Sequence, residues 1–134
     1  MGHPNADLMR KATEALNSGD IETFLGLHTD DVVIHVTGRN PFSGTFKGKR
    51  EAASVLESQM KELDSPPEFQ LHDVLGTDEH GVVLGIQRAT RGGKRLETRA
   101  AVIAHIGGGK ITEVWVNVDT LGILQSIGAI PAMA

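Results

Sequence analysis

Apolar positions recur every three to four residues in the first half of the chain and every second residue in the second half. Leu8, Ala12, Ala15 and Leu16 mark one helical face, opened by Asn5 as a cap and closed by Gly19. Asp20 caps a second, short helix that turns Ile21, Phe24 and Leu25 inward, and Thr29-Asp30-Asp31 breaks it. The β-branched run Val32–Thr37 predicts a strand. Gly38 to Gly48, with Asn40-Pro41 inside it, predicts a loop carrying a short strand at Thr45–Lys47. The strongest stripe is Ala52, Val55, Leu56, Gln59, Met60 and Leu63. It predicts a helix from Lys49 to Asp64, stopped by Ser65-Pro66-Pro67.

The period-two half predicts strands at 69–77, 82–91, 95–106 and 111–119. Their connections, Asp78–Gly81, Gly92–Lys94 and Gly107–Lys110, are short and contain glycine, as hairpins require. A closing helical segment over 120–128 would place Leu121, Leu124 and Ile127 on one side. Helices followed by a run of strands predict an α+β fold, with three N-terminal helices over one face of an antiparallel sheet. A long, curled sheet of this kind leaves a pocket under its helices. No linker or repeat divides the chain, so residues 1–134 read as one domain.

Composition narrows the classes. A net charge of −4 without a Lys/Arg cluster argues against a nucleic-acid surface. Zero cysteines exclude disulfides and thiolate metal sites, and fit a reducing cytoplasm. No apolar run is long enough to span a membrane, and the first residues lack a basic-then-apolar leader. The six histidines, at 3, 28, 35, 72, 80 and 105, lack the spacing of a helical zinc motif, so no metal is expected. His3 and His80, in a tail and a turn, read as solvated. Gly107-Gly-Gly-Lys110 joins strand to strand and is no phosphate loop.

Candidate chemistry gathers on the last two strands. Side chains alternate across a strand, so Val114, Val116 and Val118 share one face and Glu113, Trp115, Asn117 and Asp119 the other. An indole, an amide and a carboxylate together suit a ligand cavity. If the glycine turn pairs residues of like parity, Arg99, Ala101, Ile103 and His105 join them; a slip of one residue sends His105 to the far face. His35 and Gln87 read as further polar wall positions, and Phe24, Phe42, Phe46, Met60 and Leu63 as the apolar wall. Val102, Ala104, Ile106, Val114, Val116 and Val118 would then form an apolar convex face, and a two-fold homodimer packed sheet to sheet would cover it.

With this element order, three local matches point to a family: Ser18-Gly-Asp20; His35-Val-Thr-Gly38 followed by Pro41 and Ser43-Gly44; and Lys110-Ile-Thr-Glu-Val-Trp115 with Asp119 four residues on. The chain resembles the SnoaL-like polyketide cyclase group, within the ketosteroid-isomerase-like, nuclear transport factor-like α+β cone fold, from Leu8 to about Pro131. The resemblance implies a cone-shaped curved sheet and puts Asp119 in the place of the general acid/base and His105 in that of its histidine partner. It implies a lyase or isomerase that needs no cofactor and moves a proton α to a carbonyl of a small hydrophobic substrate, with His105, Arg99 or Asn117 donating to the enolate oxygen. Asp119 has a second reading as the N-cap of the segment after it. The absence of tyrosine argues against steroid isomerisation, and Ala101 interrupts the Arg-x-Asp pattern of limonene-type epoxide hydrolases. A non-catalytic small-ligand-binding or assembly domain of the same fold is the alternative.

Overall fold

The first helix, α1 (Pro4–Asn17), opens on proline, whose fixed φ suits a first turn and whose missing N–H costs nothing there. Its cap is His3 rather than Asn5: the His3 Nδ1 accepts the Asn5 backbone N–H at 3.1 Å. His3 is therefore not merely solvated, since its Nε2 donates to Asp78 at 3.0 Å. Asn5 instead donates its side-chain amide to the carbonyl of Thr77 at 2.7 Å, holding α1 to a strand turn. These observations come from a computed structural model that describes residues 3–38 and 43–119. The expected helical segment over 120–128 and the expected wall residue Phe42 lie outside them.

Gly19, at φ +75, ends α1, and the Asp20 carboxylate caps α2 (Ile21–Gly26) by accepting from Thr23 N at 3.1 Å. Strand β1 (His28–Val36) begins earlier than the β-branched run suggested: His28 already pairs with Ile111, and the register shifts between His28 and Val33, the stretch that holds Asp30-Asp31. Strand β2 (Gly44–Lys47) leads into α3 (Gly48–Lys61), where the Glu51 carboxylate accepts the Lys47 backbone N–H at 2.6 Å. Strands β3 (Glu68–Gly76), β4 (His80–Arg91), β5 (Lys94–Gly107) and β6 (Lys110–Val118) form the meander.

One six-stranded, curved sheet results, ordered β2-β1-β6-β5-β4-β3. It is antiparallel as expected except where β1 and β6 run parallel, one strand in from the β2 edge. The chain returns to β1 only after the whole meander, and that return brings His35 beside Trp115. Helix α1 packs its Ala6, Met9 and Ala12 on Val74, Val83, Ala104, Ile106 and Val114, which is the main core.

The two faces of β5 and β6 are the reverse of the expectation. Ala104, Ile106, Val114 and Val116 look toward the helices and supply core, not a convex apolar patch. The physical reason is ordinary: the helices carry apolar stripes, and the valine face is the one that removes the most carbon from water against them. The mixed face with Trp115 is the outer one.

Candidate functional site

Between α1, α3 and the sheet lies a cavity of about 270 Å³. Helix α3 supplies Ala52, Val55, Leu56, Gln59 and Met60, and Leu63 follows just past its end, so all six positions that the helical period singled out border the cavity. The sheet supplies Ile34, Val36, Val83, Val102, Val114, Val116 and Val118, and Phe24, Phe46 and Phe69 close the walls. A concave, predominantly apolar chamber with few polar groups is the usual form of a small-molecule site.

Its interior polar groups separate into occupied and unoccupied ones. Thr13 donates its hydroxyl back to Met9 O at 3.0 Å. Asn17 is spent twice on Phe69, accepting from N at 2.8 Å and donating to O at 2.9 Å, which pins the start of β3 to α1. The amides of Gln59 and Gln87 border the cavity and make no hydrogen bond among the described residues. Gln87 is thus the one predicted site residue that the cavity contains.

His28 is the group that sequence reasoning passed over. It stands at the junction of α2 and β1, paired with Ile111 at the start of β6, and is only 2 % exposed. Its Nδ1 lies 2.7 Å from the Phe24 carbonyl, four residues back. A carbonyl only accepts, so Nδ1 carries the proton and Nε2 presents a lone pair. That lone pair has no protein partner among the described residues, although the ring borders the cavity. Leaving such an acceptor buried and unpaired costs about 1–3 kcal/mol. Burial holds the imidazole pKa below its ordinary 6.5, against the opposing pull of the Phe24 carbonyl, and the positive charge of Lys49 adds to the lowering. The ring is therefore neutral at pH 7. The signal was present in the sequence: Phe24 and His28 are i and i+4, the spacing that brings a ring onto the preceding turn, and their centroids are 4.5 Å apart.

The other predicted residues assemble, but elsewhere. The register does unite His105, Glu113, Trp115 and Asn117 on one face, since Ile103 pairs with Trp115 and Ala101 with Asn117. That face is turned away from the helices. Trp115 is stacked on His35 at 5.2 Å and meets His105 edge-on at 4.8 Å. His35 donates Nε2–H to Glu113 at 2.6 Å while its Nδ1 meets the Thr45 hydroxyl at 3.1 Å. The other Glu113 oxygen lies 3.7 Å from His105 Nδ1. Arg99 and Asp119 are exposed and border no part of the cavity. The expectation that Asp119, His105, His35, Arg99, Trp115 and Asn117 line the pocket is corrected: alternation along β1, β5 and β6 carries Ile34, Val36 and the valines of the last two strands in and these side chains out. Among the described residues no cluster of His, Asp and Glu has the arrangement of a metal site. None of their helices is long and apolar enough to cross a membrane.

Comparisons with known proteins agree with this architecture. An uncharacterised protein of Mycobacterium tuberculosis is 30% identical over 109 residues, covering 81% of this chain and 83% of its own. Among solved structures, TerC co-crystallised with polyporic acid superposes with a TM-score of 0.85 at 19% identity, covering 94% of this chain and 99% of that one. IdmH, a candidate polyketide cyclase from Streptomyces antibioticus, superposes with a TM-score of 0.77 at 21% identity, covering 94% and 99%. At these identities the structural likenesses establish the nuclear transport factor-like fold and no more. Residues 9–114 match the family described as the SnoaL-like domain, and the chain belongs to that family.

Proposed function

We propose that this chain binds a small, mainly apolar carbonyl compound in the cavity and acts on it as a polyketide-cyclase-like lyase or isomerase, by moving a proton α to the carbonyl. The observation that carries the reading is the chamber itself: a mostly carbon wall in which, among the described residues and inside the rim carboxylates, the polar groups left unpaired are two amides and one imidazole nitrogen. Carbon walls select an apolar body, and unpaired donors select a carbonyl oxygen. The polyketide-cyclase-like and polyporic-acid-binding relatives of the same fold support the substrate class. The non-catalytic binding reading is favoured by one observation, the placement of Asp119 and His105 outside the cavity. The two separate in one experiment. Ligand-observed NMR with a panel of polycyclic ketones in D2O reports binding and loss of α-proton signal together. Binding with signal loss supports the enzyme, binding alone supports the carrier, and no binding overturns both.

A homodimer through the outer sheet face belongs to the same proposal, now with different residues. That face carries Trp115, Ile103 and Ala101 beside His35, His105 and Glu113, and no helix of the described residues covers it. Imidazoles and a carboxylate on one patch can meet their own copies across a two-fold axis. Light scattering should give twice 14.3 kDa for the native chain. A native mass of one chain, or a Trp115→Glu variant that remains dimeric, would sink it.

A further inference from the structure

Among the described residues, three groups bordering the cavity can exchange a proton: His28, Glu62 and Glu68. Glu62 is half exposed and bonded to Arg91 at 3.0 Å, and Glu68 is exposed, so both are at the rim in water. His28 alone is enclosed.

The geometry points to His28 as the catalytic base of the cavity: its Nε2 lone pair removes an α-proton from an enolisable ketone whose remaining surface is apolar. This inference rests on the cavity being a substrate site. Four observations converge. The Phe24 carbonyl, at 2.7 Å, fixes the tautomer that leaves Nε2 basic. The Phe24 ring and the pairing with Ile111 hold the imidazole in place. Nε2 meets no protein donor, so a substrate C–H or O–H can occupy its lone pair. The amides of Gln59 and Gln87 border the same chamber with their N–H groups unspent.

The step is balanced. The Nε2 lone pair forms the new N–H bond. The C–H pair becomes the C=C bond, and the carbonyl π pair moves to oxygen, giving an enolate that an amide N–H of Gln59 or Gln87 can receive. The imidazolium then returns the proton to oxygen or to the α-carbon, and where the enolate is conjugated with a second double bond, return to the γ-carbon is an isomerisation. The Phe24 carbonyl accepts from Nδ1 throughout and stabilises the transient cation. This chemistry asks for no carboxylate in the chamber. The substrate class follows: a compact ketone with an acidic α C–H and no fixed charge, since no cation among the described residues lines the chamber.

The test uses 2-tetralone, an apolar bicyclic ketone, with the native chain in D2O. Deuterium incorporation at its α-carbon is followed by proton NMR, and binding by saturation transfer. The native chain should bind the ketone and accelerate exchange above buffer. His28→Asn should keep binding within a few-fold, because its amide can still donate to the Phe24 carbonyl, and should cut exchange by roughly 10²-fold or more. Exchange that persists in His28→Asn overturns His28 as the base while leaving the cavity reading standing. Binding by the native chain without faster exchange does the same. Absence of binding overturns the cavity reading itself. A pH profile of the native chain needs no folded variant. The charged groups acting on the ring or bordering the cavity are Lys49, held by Asp30 at 3.2 Å, with Glu62 and Glu68 at the rim. Exchange should rise through one ionisation below pH 6.5 and then level off. Exchange that keeps rising in proportion to hydroxide overturns the proposal.

Discussion

Trp115 and Val116, neighbours in β6, look in opposite directions. Trp115 stacks on His35 at 5.2 Å on the outer face, while Val116 borders the cavity beneath the helices. One residue of offset separates the side that borders the cavity from the side that no helix of the described residues covers.

Val116→Phe should therefore abolish ligand uptake and leave the fold intact. The added ring enters a chamber of about 270 Å³ and finds room there, so the strain is small compared with overpacking a filled core, which costs about 1–3 kcal/mol. Calorimetric binding of the best ketone from the panel should weaken at least tenfold, with a melting temperature close to that of the native chain. His105→Ala, on the opposite face, should leave the same binding constant unchanged. Equal loss in both variants would contradict the assignment of faces.

The buried imidazole predicts an acid-sensitive fold. His28 titrates below its ordinary 6.5 when folded and at that value when unfolded. Between the two values the unfolded chain holds more protons, so its stability contribution is complete above pH 6.5 and falls as pH drops through the lowered folded value. Urea midpoints at pH 7.5 and pH 5 should differ more in the native chain than in His28→Phe. Equal differences would mean that some other group sets the acid limit.

Gly85 is where β4 passes closest to its neighbour β3, opposite Leu71. A Cβ there would run into the Gln70 carbonyl oxygen and the Phe69 ring. The oxygen is backbone and cannot rotate away. Gly85→Ala should destabilise the fold by about 1–3 kcal/mol, read as a lower urea midpoint with an unchanged slope. Because Phe69 also walls the cavity, ligand binding should weaken in the same variant.

Asp64 joins the end of α3 to the β4–β5 turn. Its carboxylate accepts from Gly92 N at 2.9 Å and Gly93 N at 3.0 Å, and those two bonds hold its pKa below the ordinary 3.8. Asp64→Asn keeps one acceptor oxygen and should lower the melting temperature by a few degrees at neutral pH. The contribution of a lowered carboxyl is present above 3.8 and lost as pH falls through the folded value, so the gap between the two proteins should narrow under acid conditions. A gap that stays constant with pH would assign the effect to packing.

Much of this protein is legible along the chain. The stripe from Ala52 to Leu63, the Asp20 cap, Gly19 and the glycine hairpins all follow from local rules: turn chemistry, helical spacing and two-residue alternation act between residues close in sequence. The parity that sets His105 with Trp115 does not: it depends on the irregularity in the β5–β6 ladder between His105 and Ile106, without which His105 would join the other face. Alternation shows that two faces differ and says nothing of which one the helices cover. Only packing decided that, by turning Val102, Val114 and Val116 toward the helices and leaving Trp115 and His105 outside. Packing also placed β1 parallel to β6 and enclosed His28, whose neighbours Phe24 and Ile111 lie on two other elements. A residue becomes a base through its surroundings, and those surroundings exist only after distant segments meet.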